Sequence, residues 1–299
     1  MLAQHGYISC TARLYMKCLS DGLIRLDYAL NRRAFIGFEK ILIHMATKKN
    51  LNILFSKKEE WQEDMVNGFK GLPHKLTFAE LTEANIAEYD LVVPLTIEDV
   101  FYLDTVRHLI DRQAIPIPAM ECVLLCNDKY LFAQKLIESG FGDYIPQIGG
   151  EQKYPFFLKK KIDKWSENTH LILNRTQELA LLQQINGDDY YQQECVTGNC
   201  EYATHIVFVK KIICAITVKH YYGNTSIPIQ GKQKKLSKIV QCKYLDLFAA
   251  ILNSLGYEGL CCIDYKVKNG RPMIFEINPR VGGSLAPFFF TFTRHFDLK

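Results

Sequence analysis

Met273-Ile-Phe-Glu-Ile-Asn-Pro-Arg-Val-Gly-Gly-Ser284 is the stretch on which the reading of the fold turns. It starts as a strand and ends as a glycine-rich loop. Glu276, Asn278 and Arg280 recur at every second position, so a strand presents them on one face, with Phe275 and Ile277 on the other. A carboxylate, an amide and a guanidinium above an apolar face describe a strand that roofs a core and offers a polar site. The plainer alternative is a half-buried strand whose polar side meets water.

The preceding residues test the choice. Leu260–Val267 is a second apolar run, and Asn269-Gly270 between the two is a hairpin signal. A two-residue turn there would set Asp264 against Phe275, on the face opposite Glu276. A three-residue loop, Lys268-Asn269-Gly270, shifts the pairing by one and makes Asp264 and Glu276 diagonal neighbours on one face. The expectation is the three-residue loop. Asp264, Glu276 and Asn278 then offer hard oxygen ligands suited to Mg²⁺ (or Mn²⁺), which takes a few carboxylates and leaves other positions to water and phosphate.

Upstream lie three cationic features. Asn127 or Asp128 can cap a helix carrying Leu131, Lys135 and Glu138, which puts Lys129 in its first turn, where backbone N–H groups already favour anions. Tyr154-Pro-Phe-Phe-Leu-Lys159 reads as a strand delivering Lys159 from an apolar run, either snorkelling or holding an anion. Lys219 ends the second arm of a hairpin formed by Tyr202–Val209 and Ile212–Val218 and reads as a solvated lysine or an anion contact. Tyr190–Val196 is a further strand, followed by a turn and Glu201. Leu171–Leu173 reads as a short strand, Thr176–Ile185 as a helix, Tyr221–Lys238 as a solvated basic loop, and Tyr244–Leu255 as an amphipathic helix stopped by Gly256.

The N-terminal part suggests a small parallel α/β unit. Tyr7–Cys10 reads as a strand, Ala34–Lys48 as a helix, and Leu51–Phe55 and Tyr89–Pro94 as buried strands. Thr96-Ile-Glu-Asp99 opens a further helix with a capping box. Prolines 116 and 118 mark a boundary, giving domains 1–118 and 119–299.

Among the 299 residues, 48% are hydrophobic and 23% charged, as in globular proteins generally, and the net charge is +4. A pI near 8.4 falls short of a nucleic-acid binder and fits small anions instead. No run approaches the roughly 18 apolar residues of a membrane span, and no secretory signal opens the sequence. The ten cysteines form no CxxC or zinc-type pattern, which points to reduced, mostly buried thiols and a cytoplasmic location.

The ordered set Asn127-Asp-Lys-Tyr130, Tyr154–Lys159, Gln193-Glu-Cys-Val196 with Glu201, Asp264, and Glu276-Ile-Asn-Pro-Arg280 before Gly282-Gly-Ser284 resembles the ATP-grasp superfamily. The likeness extends over about residues 115–290 and lies nearest the carboxylate–amine ligase, or carbamoyl-phosphate-synthetase-like, branch. It implies an α/β (α+β) fold in which two subdomains grip ATP, with a lid at about 141–193, behind a small parallel α/β domain. Lys129 and Lys159 would contact the ATP phosphates. Glu194 would lie at the hinge, the backbone of Cys195 and Val196 would read the adenine edge, and Glu201 would bind the ribose. Asp264, Glu276 and Asn278 would hold Mg²⁺. Arg280 would stabilise the transferring group with Lys219 as a further anion contact, and Gly283 and Ser284 would face the substrate. The resemblance further implies a small-molecule carboxylate and an amine as partners; charge and hydropathy point to neither nucleic acid nor membrane, and the oligomeric state is left open to a homodimer.

The sequence departs from the family where a glycine-rich phosphate loop usually follows the second lysine. Lys160–Leu173 contains no glycine, and Trp165-Ser-Glu-Asn-Thr169 stands in its place. The expected reaction is ATP-dependent joining of a carboxylate to an amine or other nucleophile through an acyl phosphate. A kinase on the same scaffold and a nucleotide-binding module without turnover are the alternatives.

Overall fold

The apolar run from Leu51 forms strand β1 (Asn52–Phe55), whose last three residues are buried. It is the centre of a parallel sheet ordered β2-β1-β3, with β2 (Lys75–Phe78) and β3 (Leu91–Val93). The architecture is that of a computed structural model describing residues 50–110, 115–150, 152–163, 166–224, 226–227 and 236–295. The expected strand at Tyr7–Cys10 and helix at Ala34–Lys48 lie outside these residues.

Between β1 and β2 runs the helix Glu59–Phe69, which sequence reasoning did not foresee. It buries Trp61, Met65, Gly68 and Phe69, a spacing that marks one helical face. The helix Ile97–Thr105 starts at the capping box expected for Thr96. The Thr96 hydroxyl accepts from Asp99 N at 3.1 Å, and Thr96 N donates to Asp99 Oδ2 at 2.8 Å.

Two helices, Met120–Asn127 and Lys129–Leu136, lead to a small antiparallel sheet ordered β5-β4-β6, made of β4 (Phe156–Lys160), β5 (Thr169–Ile172) and β6 (Tyr190–Glu194). The single helix expected over Thr176–Ile185 is two short ones, Arg175–Ala180 and Leu182–Ile185. Leu179 and Leu182 are 50% and 42% exposed, so packing does little to hold a continuous helix there.

The large sheet is antiparallel, ordered β11-β10-β7-β8-β9, with β7 (Cys200–Val209), β8 (Lys211–Tyr221), β9 (Leu236–Val240), β10 (Gly259–Lys268) and β11 (Arg271–Asn278). The basic segment read as a loop thus ends in a strand, β9, which pairs along Thr217–Tyr221 of β8. The helix Leu245–Ser254 packs Phe248, Ile251 and Leu252 onto one side of the sheet with Ile263, Ile274 and Ile277. The 3-10 segment Gly283–Thr291 carries Leu285, Phe288, Phe289 and Phe290 into a core shared with β1 and β3. Eight described cysteines are free thiols, five of them buried. No helix among the described residues is long and apolar enough to cross a membrane.

Candidate active site

The hairpin of β10 and β11 is closed by a two-residue turn. Lys268 pairs with Arg271, and both Asn269 (φ 52°) and Gly270 (φ 78°) are left-handed. This corrects the expected three-residue loop. Such a turn matches the right-handed twist of its strands, and Asn-Gly supplies the positive φ values that it needs. Asp264, Glu276 and Asn278 nevertheless meet, because a bulge intervenes. Tyr265 pairs with Ile274 and Asp264 with Glu276, leaving Phe275 as the extra residue. Asp264 and Glu276 are therefore directly opposite, not diagonal. The bulge also turns Phe275 away from the apolar face expected for it and into the cleft, where its ring lies 5.1 Å from Lys159 Nζ.

Asn278 holds the two carboxylates together, its Nδ2 donating to Asp264 Oδ2 at 3.1 Å and to Glu276 Oε1 at 3.0 Å. Its Oδ1 accepts from Arg280 Nη2 at 3.2 Å. Among the described residues no group of three His, Cys, Asp or Glu is spaced to hold a metal. The donor set is two adjacent carboxylates and one amide, and rotation of the Asn278 amide would turn its oxygen toward them. That chemistry fits a hard divalent cation.

Lys129 reaches the Glu276 carboxylate from another element. Asp128 caps its helix by accepting from the Tyr130 and Leu131 amides, which settles Asp128 over Asn127 as the cap. Lys129 Nζ lies 3.1 Å from Glu276 Oε2, and both side chains are largely covered. Burial raises the Glu276 pKa, but Lys129, Asn278 and Lys159 outweigh it and hold the carboxyl at about 2. Lys159 is pushed down to about 8, by burial first and then by Lys129.

Lys129, Lys159, Val196, Glu201, Phe275 and Glu276 line one open cleft between the small and large sheets. The glycine-free loop reaches it through Ser166 and Thr169. Asp163 braces that loop by accepting from Asn168 N and Nδ2, while its backbone oxygen accepts from Lys129 Nζ at 3.2 Å. Glu194, ending β6, is ion-paired with Lys268 at the end of β10 and so ties the two sheets together. Cys195 is buried beside it.

Lys266 is the cleft residue that sequence reasoning missed. Its Nζ donates to Val196 O at 3.0 Å and lies 3.7 Å from Glu201 Oε1, while Tyr222 O–H donates to Glu201 Oε2 at 2.7 Å. Burial pushes the Lys266 pKa down, opposed by Glu201. The available signal was its parity: Lys266 follows Asp264 by two residues and shares its face.

Lys219 is placed elsewhere. It pairs with Tyr202, one residue out of step with Glu201, so it projects from the opposite face of the sheet, its Nζ 4.6 Å from the Tyr221 ring centre. Ser284 Oγ lies 2.8 Å from Nε2 of His205, a fully buried imidazole pushed down to about 3 mainly by that burial. A Cβ on Gly282 would sit 2.6 Å from the His205 ring, and one on Gly283 would sit 3.1 Å from the Trp61 indole. Glycine at 282 and 283 therefore lets the loop lie flat between them.

No family profile and no curated protein sequence matches the chain. Solved structures do. Phosphoribosylamine–glycine ligase from Thermotoga maritima matches with a TM-score of 0.60 at 13% identity, over 81% of this chain and 72% of that one. L-amino acid ligase from Bacillus licheniformis matches with a TM-score of 0.56 at 12% identity, over 85% and 75%. D-alanine–D-alanine ligase from Bacillus anthracis complexed with ATP matches with a TM-score of 0.51 at 13% identity, over 78% and 87%. With its parallel N-terminal sheet and the two antiparallel sheets facing one cleft, the chain has the ATP-grasp fold.

Proposed function

We propose that the protein is an ATP-dependent ligase that activates a carboxylate as an acyl phosphate and passes the acyl group to an amine or similar nucleophile. The observation that carries this is the convergence of Lys129, Lys159, Glu201 and Glu276 on one cleft, with Asp264 and Asn278 beside Glu276. In this reading Lys129 and Lys159 bind the triphosphate, Glu201 the ribose, and the Val196 backbone the base edge. Asp264, Glu276 and Asn278 would hold Mg²⁺, which supplies charge neutralisation at the phosphates. A carboxylate oxygen attacks the γ-phosphorus and ADP leaves. The amine nitrogen then attacks the acyl carbon, phosphate leaves, and the nitrogen loses a proton to water. Such transfers are accelerated mainly by positioning and by cations on developing charge, which suits Arg280. Its Nη1 and Nη2 are oriented by Val281 O and Asn278 Oδ1.

Incubation with Mg-ATP, hydroxylamine and a panel of carboxylic acids tests the reading. Hydroxamate and ADP in equal amounts are expected. ATP binding without either product from any acid would overturn it. A stable phosphorylated product, with no free phosphate, would instead indicate a kinase. The module without turnover has one observation in its favour: Lys266 already occupies Val196 O and Glu201. Nucleotide binding unchanged in Glu276→Gln would select it.

A further inference from the structure

Lys266, the cation that folding adds to the cleft, has a role that its neighbours define. Tyr265 of β10 pairs with Tyr202 of β7, so the next residues along, Lys266 and Glu201, stand side by side on one face of the sheet. Both line the cleft, together with Val196. Lys266 is 2% exposed, and a lysine so buried needs partners for its ammonium. One N–H is donated to Val196 O at 3.0 Å, which anchors the side chain to the segment joining β6 and β7. An ammonium carries three N–H groups, so others remain after that bond. Glu201 Oε1 lies 3.7 Å from Nζ, within ion-pair range but beyond a good hydrogen bond.

Glu201 is oriented from its other side, where Oε2 accepts from Tyr222 O–H at 2.7 Å. That contact turns Oε1 toward Lys266, and a carboxylate oxygen keeps room to accept from a ligand. Burial pushes the Glu201 pKa up and the Lys266 pKa down, and each residue opposes that shift in the other, with Lys159 on β4 also holding Glu201 charged. The cleft wall thus sets an N–H donor beside an acceptor, both fixed by further contacts. The group that matches the two at once is an alcohol. Its oxygen accepts from the ammonium and its own proton is donated to the carboxylate, with the oxygen about 2.8 Å from each. A C–H group in the same place satisfies neither.

We propose that Lys266 is the sugar-specificity residue of the nucleotide site: with Glu201 it brackets one ribose hydroxyl, which accepts from the Lys266 ammonium and donates to Glu201 Oε1. This rests on the reading of the cleft as a nucleotide site with the ribose at Glu201. A nucleotide lacking that hydroxyl leaves two buried charged groups without their bridge, and sites built to hydrogen-bond a hydroxyl reject such analogues strongly.

Calorimetric titration of the full chain with ATP, 2′-deoxy-ATP and 3′-deoxy-ATP, each with Mg²⁺, tests the assignment. ATP is expected to bind at least tenfold tighter than one of the two deoxy nucleotides. Lys266→Met should weaken ATP at least tenfold and leave that deoxy nucleotide within twofold, so that the discrimination collapses. Lys266→Arg, which keeps a donor, should retain part of it. If the Met variant does not fold, as judged by thermal melts, Lys266→Leu takes its place with the same expectation. A purely structural or electrostatic role requires equal losses for all three nucleotides with the discrimination intact. That result overturns the proposal, as does equal binding of all three by the wild-type protein or no nucleotide binding at all. ATP binding with the expected discrimination, but no hydroxamate or ADP from any acid, supports the proposal and sinks the ligase reading alone.

Discussion

Lys159 shows what a single side chain can carry at this site. Its position at the end of an apolar strand predicted either a snorkelling lysine or an anion contact. Burial and the neighbouring Lys129 push its pKa down to about 8. A triphosphate favours the ammonium form, so the sign of the pH effect follows. Affinity for a non-hydrolysable Mg-ATP analogue should weaken as pH rises through 8, by roughly tenfold between pH 7 and pH 9 as the charged fraction falls. Titration calorimetry across that range would show it, and Lys159→Met should bind weakly with a flat profile. Lys129 and Glu276 follow local signals as well, a helix cap and strand alternation, whereas Glu201 was named only through the family resemblance. Lys266 was not named. Its neighbours Val196 and Glu201 lie 70 and 65 residues away in sequence, and only folding makes it a cleft residue.

At the scale of elements, the β10–β11 hairpin divides its work between turn and bulge. The turn sets the pairing at Lys268 and Arg271, and the bulge at Phe275 resets it so that Asp264 meets Glu276. Gly270 is left-handed in open space, so a side chain there meets backbone strain and no clash. Gly270→Ala should therefore cost about 1–2 kcal/mol in urea melts while leaving nucleotide affinity unchanged. A parallel loss of affinity would mean that the turn, not the bulge, governs the site. The sequence reading reached the right face by the wrong device. Asn-Gly marks a turn strongly, whereas nothing in Met273–Ile277 marks a bulge, whose position depends on how Phe275 and Ile274 pack after pairing.

Across the whole molecule, one core spans the parallel sheet and the chain beyond Gly-Gly-Ser. Phe289 is fully buried, 5.2 Å from Phe55 edge to face, and Phe290 meets Phe69 at 6.3 Å. The N-terminal unit is thus bound through aromatic packing to the loop that presents Ser284. Phe289→Ala should destabilise the protein by about 3–5 kcal/mol in denaturant melts. Its loss should also raise the KM of the acid substrate more than that of Mg-ATP, since Trp61 and Gly283 rest on the same packing. Equal effects on both substrates would argue against that coupling.

The sequence by itself determined the ordered set of strands, caps and charged residues between Lys129 and Arg280, whose resemblance to the ATP-grasp superfamily implied the fold. Those signals are local, read from periodicity, turn chemistry and the order of motifs. Only the tertiary structure decided that Phe275 enters the cleft, that Lys266 joins Glu201, that Lys219 leaves the site, and that Trp61 lies against Gly283 and Arg280. Each of these depends on pairing register or on packing between distant segments, and neither is encoded in any short stretch of the chain.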